Sequence, residues 1–186
     1  MEIVLITGNK NKLNIAQKVF EQYGINLIQE NIETPEIQST DTKDIAEYSA
    51  EYGANFLKKP VIKTDTGYYF KSMNGFPGPF VKYVCQWFKV EDLLKIAATK
   101  KDRNIIVRET IAFCKPGEKP ISFTGELKGE LAKKAGGEGT IFDQLLILDG
   151  FKKPQGLIKR EELLDYWDKN HGYFHDLAKY IKDLKY

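Results

Sequence analysis

The chain opens with a short apolar run and then changes to helical spacing. The run Ile3–Ile6 predicts a buried strand, and a turn over residues 7–11 follows it. Apolar residues after this turn recur with the period of a helix: Leu13, Ala16, Val19 and Phe20. The first segment is therefore predicted as strand, turn and helix, and residues 25–28 predict a second strand.

Helical and extended patterns alternate along the rest of the chain. Helices are predicted over residues 44–57, 82–88, 90–98, 161–166 and 173–184. The first of these carries Ile45, Tyr48, Tyr52 and Phe56 on or near its apolar face. Strands are predicted over residues 61–70, with a sharp bend, and over a hairpin of residues 105–114 and 121–125. This mixture predicts an α/β fold with a mixed sheet, in one domain over residues 1–186, whose hairpin region is a candidate second lobe.

Composition and charge limit the classes of partner. The 186 residues are 42% apolar and 29% charged, which is typical of a globular protein. A net charge of +2 argues against a protein that binds long stretches of nucleic acid. The chain has two cysteines, Cys85 and Cys114, which form neither a metal-binding cluster nor a disulfide framework. With no signal peptide and no membrane span in the sequence, we expect a soluble, cytoplasmic protein.

A candidate phosphate-binding turn lies between the first strand and the first helix. Backbone N–H groups at a helix N-terminus favour anions. Thr7 adds a hydroxyl, Asn9 adds an amide, and Lys10 or Lys12 adds a cation beside Gly8. The spacing of a Walker A motif is absent. An ordinary connection with a solvated lysine fits this segment equally well.

Two acidic residues are candidate metal ligands. Asp65 lies at a strand end beside Thr66 and Gly67, and Glu36 lies on a loop far away in sequence. Magnesium is usually held by one or two carboxylates together with phosphate oxygens and water. Alone, Asp-Thr-Gly is more often a turn. The aspartic-protease interpretation needs two copies or a dimer within a strand-rich sequence, which is absent here, and we set it aside.

A glycine-rich segment before residue 145 offers an aromatic ring beside a carboxylate. Phe142 is a candidate platform for stacking on a nucleobase, and Asp143 is a candidate acceptor beside it. The alternative is a core phenylalanine beside an aspartate that caps a helix. Taken alone, the segment favours that alternative.

Together and in this order, the segments resemble the inosine-triphosphate pyrophosphatase family, which acts on non-standard purine nucleoside triphosphates such as ITP, dITP and XTP. The motifs that carry the resemblance are Thr7-Gly8-Asn9 with Lys12, Pro35–Gln38, Asp65–Gly67, Gly75–Lys82, Phe123–Gly129 and Lys169-Asn170. They extend over nearly the whole chain. The resemblance implies an elongated α/β fold with two lobes around a central cleft, a Mg²⁺ cofactor and a homodimer.

The resemblance also implies roles for individual residues. Glu36 and Asp65 would hold the metal, and Asp65 would also serve the attacking water. Lys12, Lys82 and Lys169 would contact the phosphates or the nucleotide. Thr7, Gly8, Asn9, Thr66 and Gly67 would line the substrate site, with Phe142, Asp143 and His175 at the base. The expected products are a nucleoside monophosphate and pyrophosphate.

The chain departs from the family where the base is recognised. The family's Ser-His-Arg falls on Tyr173-Phe174-His175, and Ser49 stands where the family has a helical lysine. Neutral His175 offers one hydrogen-bond donor, so the preferred base is open. His171 and His175 have i, i+4 spacing, but without a third ligand a surface or base-contacting role is favoured over a metal site. The alternatives are a pyrophosphatase for a different base, a nucleotide sensor without turnover, and a structural or interaction protein.

Overall fold

A computed structural model describes residues 2–35 and 37–184, and for Asn11 it describes the backbone alone. The strands in this part of the chain are β1 (Glu2–Ile6), β2 (Asn26–Glu30), β3 (Val61–Phe70), β4 (Pro77–Gly78), β5 (Asn104–Cys114), β6 (Ile121–Leu131) and β7 (Leu146–Leu148). The helices are α1 (Lys10–Glu21), α2 (Thr42–Leu57), α3 (Val81–Trp87), α4 (Val90–Ala98), α5 (Ile141–Leu145), α6 (Arg160–Asn170) and α7 (Gly172–Asp183). None of the described helices is long and apolar enough to cross a membrane.

The strands form a mixed sheet. Their order is β2-β1-β3-β5-β6-β7, and the short strand β4 pairs with β3. Strand β1 pairs in parallel with both β2 and β3, whereas β4 and β7 are antiparallel to their neighbours. The predicted α/β fold with flanking helices is confirmed. Strand β3 continues from Val61 to Phe70, so the expected sharp bend does not interrupt it.

The chain divides into two compact units. Unit 1 comprises Met1–Asp65, Glu109–Gly125 and Tyr166–Tyr186, and unit 2 comprises Thr66–Arg108 and Glu126–Asp165. Strands β3, β5 and β6 each contribute residues to both units. The hairpin is therefore shared by the two units and does not form a lobe of its own.

Unit 1 buries apolar side chains on both faces of its parallel strands. Successive side chains of a strand point to opposite faces. Ile3 and Leu5 of β1 accordingly join one buried cluster with residues of α1 and α7, among them Phe20 and Phe174. Val4 of β1 joins a second cluster, to which α2 contributes a row of alanines. Because both faces of β1 are covered, its sequence is an uninterrupted aliphatic run rather than an alternating one.

Helix α2 buries small residues and exposes aromatic ones. Asp41 caps its N-terminus, where the carboxylate accepts a hydrogen bond from the backbone N–H of Lys43 at 2.9 Å. Ala46, Ala50 and Ala54 face the core. The large aromatic side chains are exposed by 37% to 64%: Tyr48, Tyr52 and Phe56. Their predicted position on the apolar face is wrong, because the alanine row lets the helix pack closely against the strands.

The interior of unit 2 is partly aromatic. The rings of Tyr68 and Phe142 stack at a centroid distance of 4.1 Å with an angle of 9° between their planes. Phe70 lies against Phe142 at a centroid distance of 6.3 Å. Trp87 at the end of α3 is instead 73% exposed. The other tryptophan, Trp167, belongs to unit 1.

Candidate active site

The carboxyl ends of β1 and β2 meet at one edge of unit 1, and β3 runs past them. Ile6, the last residue of β1, pairs with Glu30, the last residue of β2, and the backbone N–H of Thr7 donates to the Glu30 carbonyl at 3.1 Å. Strand β3 runs parallel to β1 and continues past the end of β1. Asp65 is the fifth residue of β3 and lies just beyond that end, which corrects the expectation that it lies at a strand end. In open α/β sheets, ligands bind beyond the carboxyl ends of the strands. The predicted turn and the predicted carboxylate therefore share the edge where a ligand is expected.

The turn that follows β1 forms the N-terminus of α1. The hydroxyl of Thr7 accepts a hydrogen bond from the backbone N–H of Asn9 at 3.0 Å. The side-chain oxygen of Asn9 accepts one from the backbone N–H of Lys12 at 3.4 Å, so Asn9 caps the helix. Gly8 and Asn9 are exposed. This predicted phosphate-binding turn is therefore an accessible helix N-terminus with a cation in its first turn, which favours an anion.

A hydrogen bond ties the segment before Glu36 to the strand of Asp65. The Nζ atom of Lys63 donates to the hydroxyl of Thr34 at 3.0 Å, and Thr34 is buried. Lys63 precedes Asp65 by two positions, and Thr34 precedes Glu36 by two. Glu36 itself lies outside the described residues, so its role as a metal ligand stays a prediction.

Oxygen donors are the candidate metal ligands at this edge. Asp65 is partly buried and supplies a carboxylate. Such donors suit a hard cation such as Mg²⁺, which takes few protein ligands and keeps phosphate oxygens and water. Among residues 2–35 and 37–184, no group of three or more His, Cys, Asp and Glu side chains is placed to hold a metal ion. Asp65 fits a site of the type in which the substrate completes the coordination.

Lys12 contacts a buried carboxylate that the motifs did not identify. Its Nζ atom lies 3.6 Å from Oε1 of Glu109 on β5. The hydroxyl of Tyr173 donates to Oε2 of Glu109 at 3.1 Å, and Nε2 of His171 lies 3.6 Å from the same oxygen. Glu109 interrupts the apolar residues of β5. A charged residue within a strand that is otherwise buried is the signal that could have identified Glu109 from the sequence. We call these four residues the Glu109 cluster.

Burial sets the protonation states around Glu109. It raises the pKa of the Tyr173 hydroxyl, and the charge and hydrogen bond of Glu109 raise it further, so Tyr173 remains a proton donor. Burial also lowers the pKa of His171 below its ordinary value, although Glu109 opposes this shift. His171 is therefore neutral near pH 7, and Lys12 is the cation of the cluster.

Unit 2 holds other predicted substrate residues. Thr66 and Gly67 lie on β3, and Lys82 is an exposed residue in the first turn of α3. A Cβ atom on Gly67 would lie 2.6 Å from the Tyr69 ring and 3.0 Å from the backbone of Gly78. The glycine therefore leaves the space that the Tyr69 ring and the backbone of β4 occupy. Contact of these residues with a nucleotide stays a prediction.

Phe142 and Asp143 have structural partners. Both lie in helix α5 rather than on a loop, and Phe142 is only 1% exposed beneath Tyr68. The carboxylate of Asp143 accepts hydrogen bonds from the backbone N–H and the hydroxyl of Thr140, both at 2.7 Å, and from Gln155 at 2.8 Å. This geometry is that of a core ring beside a capping carboxylate, which corrects the expectation of an open stacking platform. For Asp143, contact with a base stays a prediction.

The C-terminal candidates of unit 1 differ in burial. Lys169 is exposed in the last turn of α6, whereas His171 is 1% exposed, so a surface role for His171 is wrong. Both ring nitrogens of His175 have neighbours: Nδ1 lies 3.2 Å from the Tyr23 hydroxyl, and Nε2 lies 3.5 Å from Asp168. The histidine thereby links α7 to α1 and α6. Its contact with a base stays a prediction.

The model of the Ham1 family matches residues 3–163 of this sequence. The chain belongs to the Ham1 family. A relative from Methanopyrus kandleri, named dITP/XTP pyrophosphatase, is 35% identical over 151 residues, which cover 81% of this chain and 80% of the relative. A relative from Phaeosphaeria nodorum, named inosine triphosphate pyrophosphatase, is 36% identical over 132 residues, or 70% of this chain and 69% of the relative. The family predicted from the motifs is confirmed.

Solved structures of Ham1 proteins share the fold. The Staphylococcus aureus Ham1 protein superposes with a TM-score of 0.78 at 22% identity, covering 100% of both chains. A Ham1 protein from Coxiella burnetii gives a TM-score of 0.80 at 19% identity, covering 98% of this chain and 99% of its own. At these identities the superpositions establish the fold alone.

Proposed function

We propose that this Ham1-family chain is a nucleoside-triphosphate pyrophosphatase that releases a nucleoside monophosphate and pyrophosphate, with ITP, dITP and XTP as its first candidate substrates. One observation carries the proposal. The helix N-terminus after β1 and Asp65, just beyond the end of β1 on β3, lie at the same edge of the parallel strands, which supports a common site for an anion and a metal ion. The names of the relatives support the same reaction.

The residues at this edge would have different roles in the reaction. The amides of the turn and the Lys12 ammonium would bind the phosphate chain and stabilise the negative charge that develops on the pyrophosphate. Asp65 would orient the attacking water and accept its proton. Asp65 and Glu36 would hold Mg²⁺, which when bound neutralises phosphate charge and orients the phosphate oxygens.

The assay is pyrophosphate release from a panel of nucleoside triphosphates with magnesium. We expect Asp65→Asn to lower kcat by about a hundredfold or more, since it removes both a metal ligand and a proton acceptor. Asp149→Asn, at an exposed position after β7, is the matched control and should retain full activity. Near-normal turnover by folded Asp65→Asn would refute the assignment.

A pyrophosphatase for a different base is the second candidate. It is favoured by the positions that replace the family's Ser-His-Arg, because Tyr173 and Phe174 are buried and both nitrogens of His175 have protein neighbours. The panel should therefore include dUTP and modified nucleotides. Preferred turnover of a non-purine nucleotide would support this candidate. Tight binding without turnover of any nucleotide would instead support the alternative of a nucleotide sensor.

Three further properties belong to the proposal. We expect a homodimer, which sedimentation of the purified protein can test. We also expect the protein to act in the cytoplasm, with free nucleotides rather than nucleic acid or a membrane as its partner. The net charge of +2 supports a small anionic ligand over a polyanion.

A further inference from the structure

Glu109 is a buried carboxylate beside a lysine that the proposed reaction uses. The residue is 8% exposed on β5, and its Oε1 atom lies 3.6 Å from Nζ of Lys12, in the first turn of α1. We propose that Glu109 is a positioning residue that holds the Lys12 ammonium where it meets the phosphate chain. This inference rests on the proposed function, because it assigns Lys12 a phosphate to bind.

The carboxylate itself is held in place. The Tyr173 hydroxyl donates to Oε2 at 3.1 Å, and the Tyr173 ring lies directly over Gly125, where a Cβ atom would lie 1.9 Å from the ring. Gly125 therefore leaves the space that the ring occupies. Tyr173 thus fixes one oxygen of Glu109, while the other faces Lys12.

A merely structural role explains this carboxylate poorly. Moving a charge out of water is costly, and buried ion pairs are often no more stabilising than apolar residues of similar volume. Glu109 nevertheless lies in a strand whose neighbours Ile111 and Ala112 are fully buried. Lys12 remains 26% exposed, so it can contact Glu109 and a ligand together.

Within the Glu109 cluster, Lys12 lies 3.6 Å from Glu109 and can pair with its charge. His171 is neutral near pH 7 because burial lowers its pKa, and Tyr173 remains protonated because burial raises its pKa. Within the cluster, one oxygen of Glu109 faces the Lys12 ammonium and the other accepts a hydrogen bond from the Tyr173 hydroxyl. The contact with Glu109 restricts the rotamers of the long Lys12 side chain, which would otherwise sample many conformations.

The charge of Glu109 determines which kinetic constant should change. A carboxylate next to the phosphate chain repels an anionic substrate, so removing its charge does not weaken substrate binding. Positioning of Lys12 matters most when charge develops on the leaving pyrophosphate. The loss should therefore appear in kcat, while KM stays constant or falls.

The experiment compares Glu109→Gln, Lys12→Ala and the double variant, with Glu126→Gln as the control. Glu126 on β6 forms an exposed pair with Arg108 and should tolerate the same change of carboxylate to amide. We expect Glu109→Gln to lower kcat about tenfold, with KM within about twofold of wild type or lower. In the Lys12→Ala background, the same substitution should change kcat by less than about twofold, because the residue it positions is gone.

Each outcome decides a different question. Wild-type protein that hydrolyses no nucleotide of the panel overturns the proposed function and this inference with it. If the wild type is active, two results overturn the positioning role alone. One is an unchanged kcat in Glu109→Gln. The other is an equal fall in kcat when Glu109→Gln is introduced into wild type and into Lys12→Ala. If Glu109→Gln does not fold, Tyr173→Phe removes only the hydroxyl. A fall in kcat of about threefold would then support the inference, and an unchanged kcat would overturn it.

Discussion

The packing of Tyr173 on Gly125 makes Gly125→Ala a severe substitution despite its small size. The new Cβ atom would lie 1.9 Å from Cδ1 and 2.2 Å from Cε1 of the ring. The ring is 6% exposed and its hydroxyl is bonded to Glu109, so it cannot turn aside freely. Overpacking of this kind costs about 3 kcal/mol, near the upper end of the usual range.

Removal of the ring should remove that cost. Tyr173→Ala alone should lower the free energy of unfolding by about 4 kcal/mol, because a large buried ring is lost. If the two effects were independent, the double variant would lose about 7 kcal/mol. With the ring absent, Gly125→Ala meets no obstacle, and we expect the double variant to lose only about 4 kcal/mol.

Urea unfolding of the wild type, both single variants and the double variant measures the coupling between the two positions. Circular dichroism at equal protein concentration gives each free energy of unfolding by linear extrapolation. Gly24→Ala is a useful reference, since a Cβ atom there would meet no atom within 4 Å, although the positive φ of 74° adds backbone strain. Losses that add to about 7 kcal/mol would refute the packing argument.

Two more predictions concern the stability of unit 1. Asp41→Ala should lower the free energy of unfolding by about 1 kcal/mol, because α2 loses the acceptor for the Lys43 N–H, whereas Asp41→Asn should lose little; equal losses in urea unfolding would contradict the capping role. The folded-state pKa of His171 lies below its ordinary value of 6.5, so stability should fall as the pH drops below that value, where the unfolded chain binds a proton that the folded chain does not. Urea unfolding at about pH 5 and about pH 7.5 should show a smaller difference in the free energy of unfolding for His171→Gln than for wild type. Equal differences in the two proteins would contradict the prediction.

The parallel strands and their helices were predictable because local patterns agreed with the final packing. The aliphatic run of β1 and the helical spacing of α1 gave both elements, and the motifs gave the family. The exposed face of α2 was not predictable in the same way. Its aromatic residues follow helical spacing as well as its alanines do, and only the close packing of Ala46, Ala50 and Ala54 decides which face is buried.

The candidate site was predictable where its residues form local motifs. The Thr7 hydroxyl accepts a hydrogen bond from Asn9, and Asn9 caps the helix that follows, so a short stretch of sequence contains the geometry. Glu109 and Tyr173 are 64 positions apart and meet only in the folded chain. The role of Phe142 was ambiguous for a related reason, since its burial depends on Tyr68, far away in sequence. A contact between two residues that are far apart along the chain produces no periodic pattern in the sequence, so it could not be predicted from that pattern.

The two tryptophans give the protein a pair of built-in optical reporters. Trp87 belongs to unit 2 and is largely in water, whereas the Trp167 indole of unit 1 lies 4.9 Å from the imidazole of His171. Replacing one indole with phenylalanine leaves emission from a single known unit. Such spectra can follow each half of the molecule separately during denaturation.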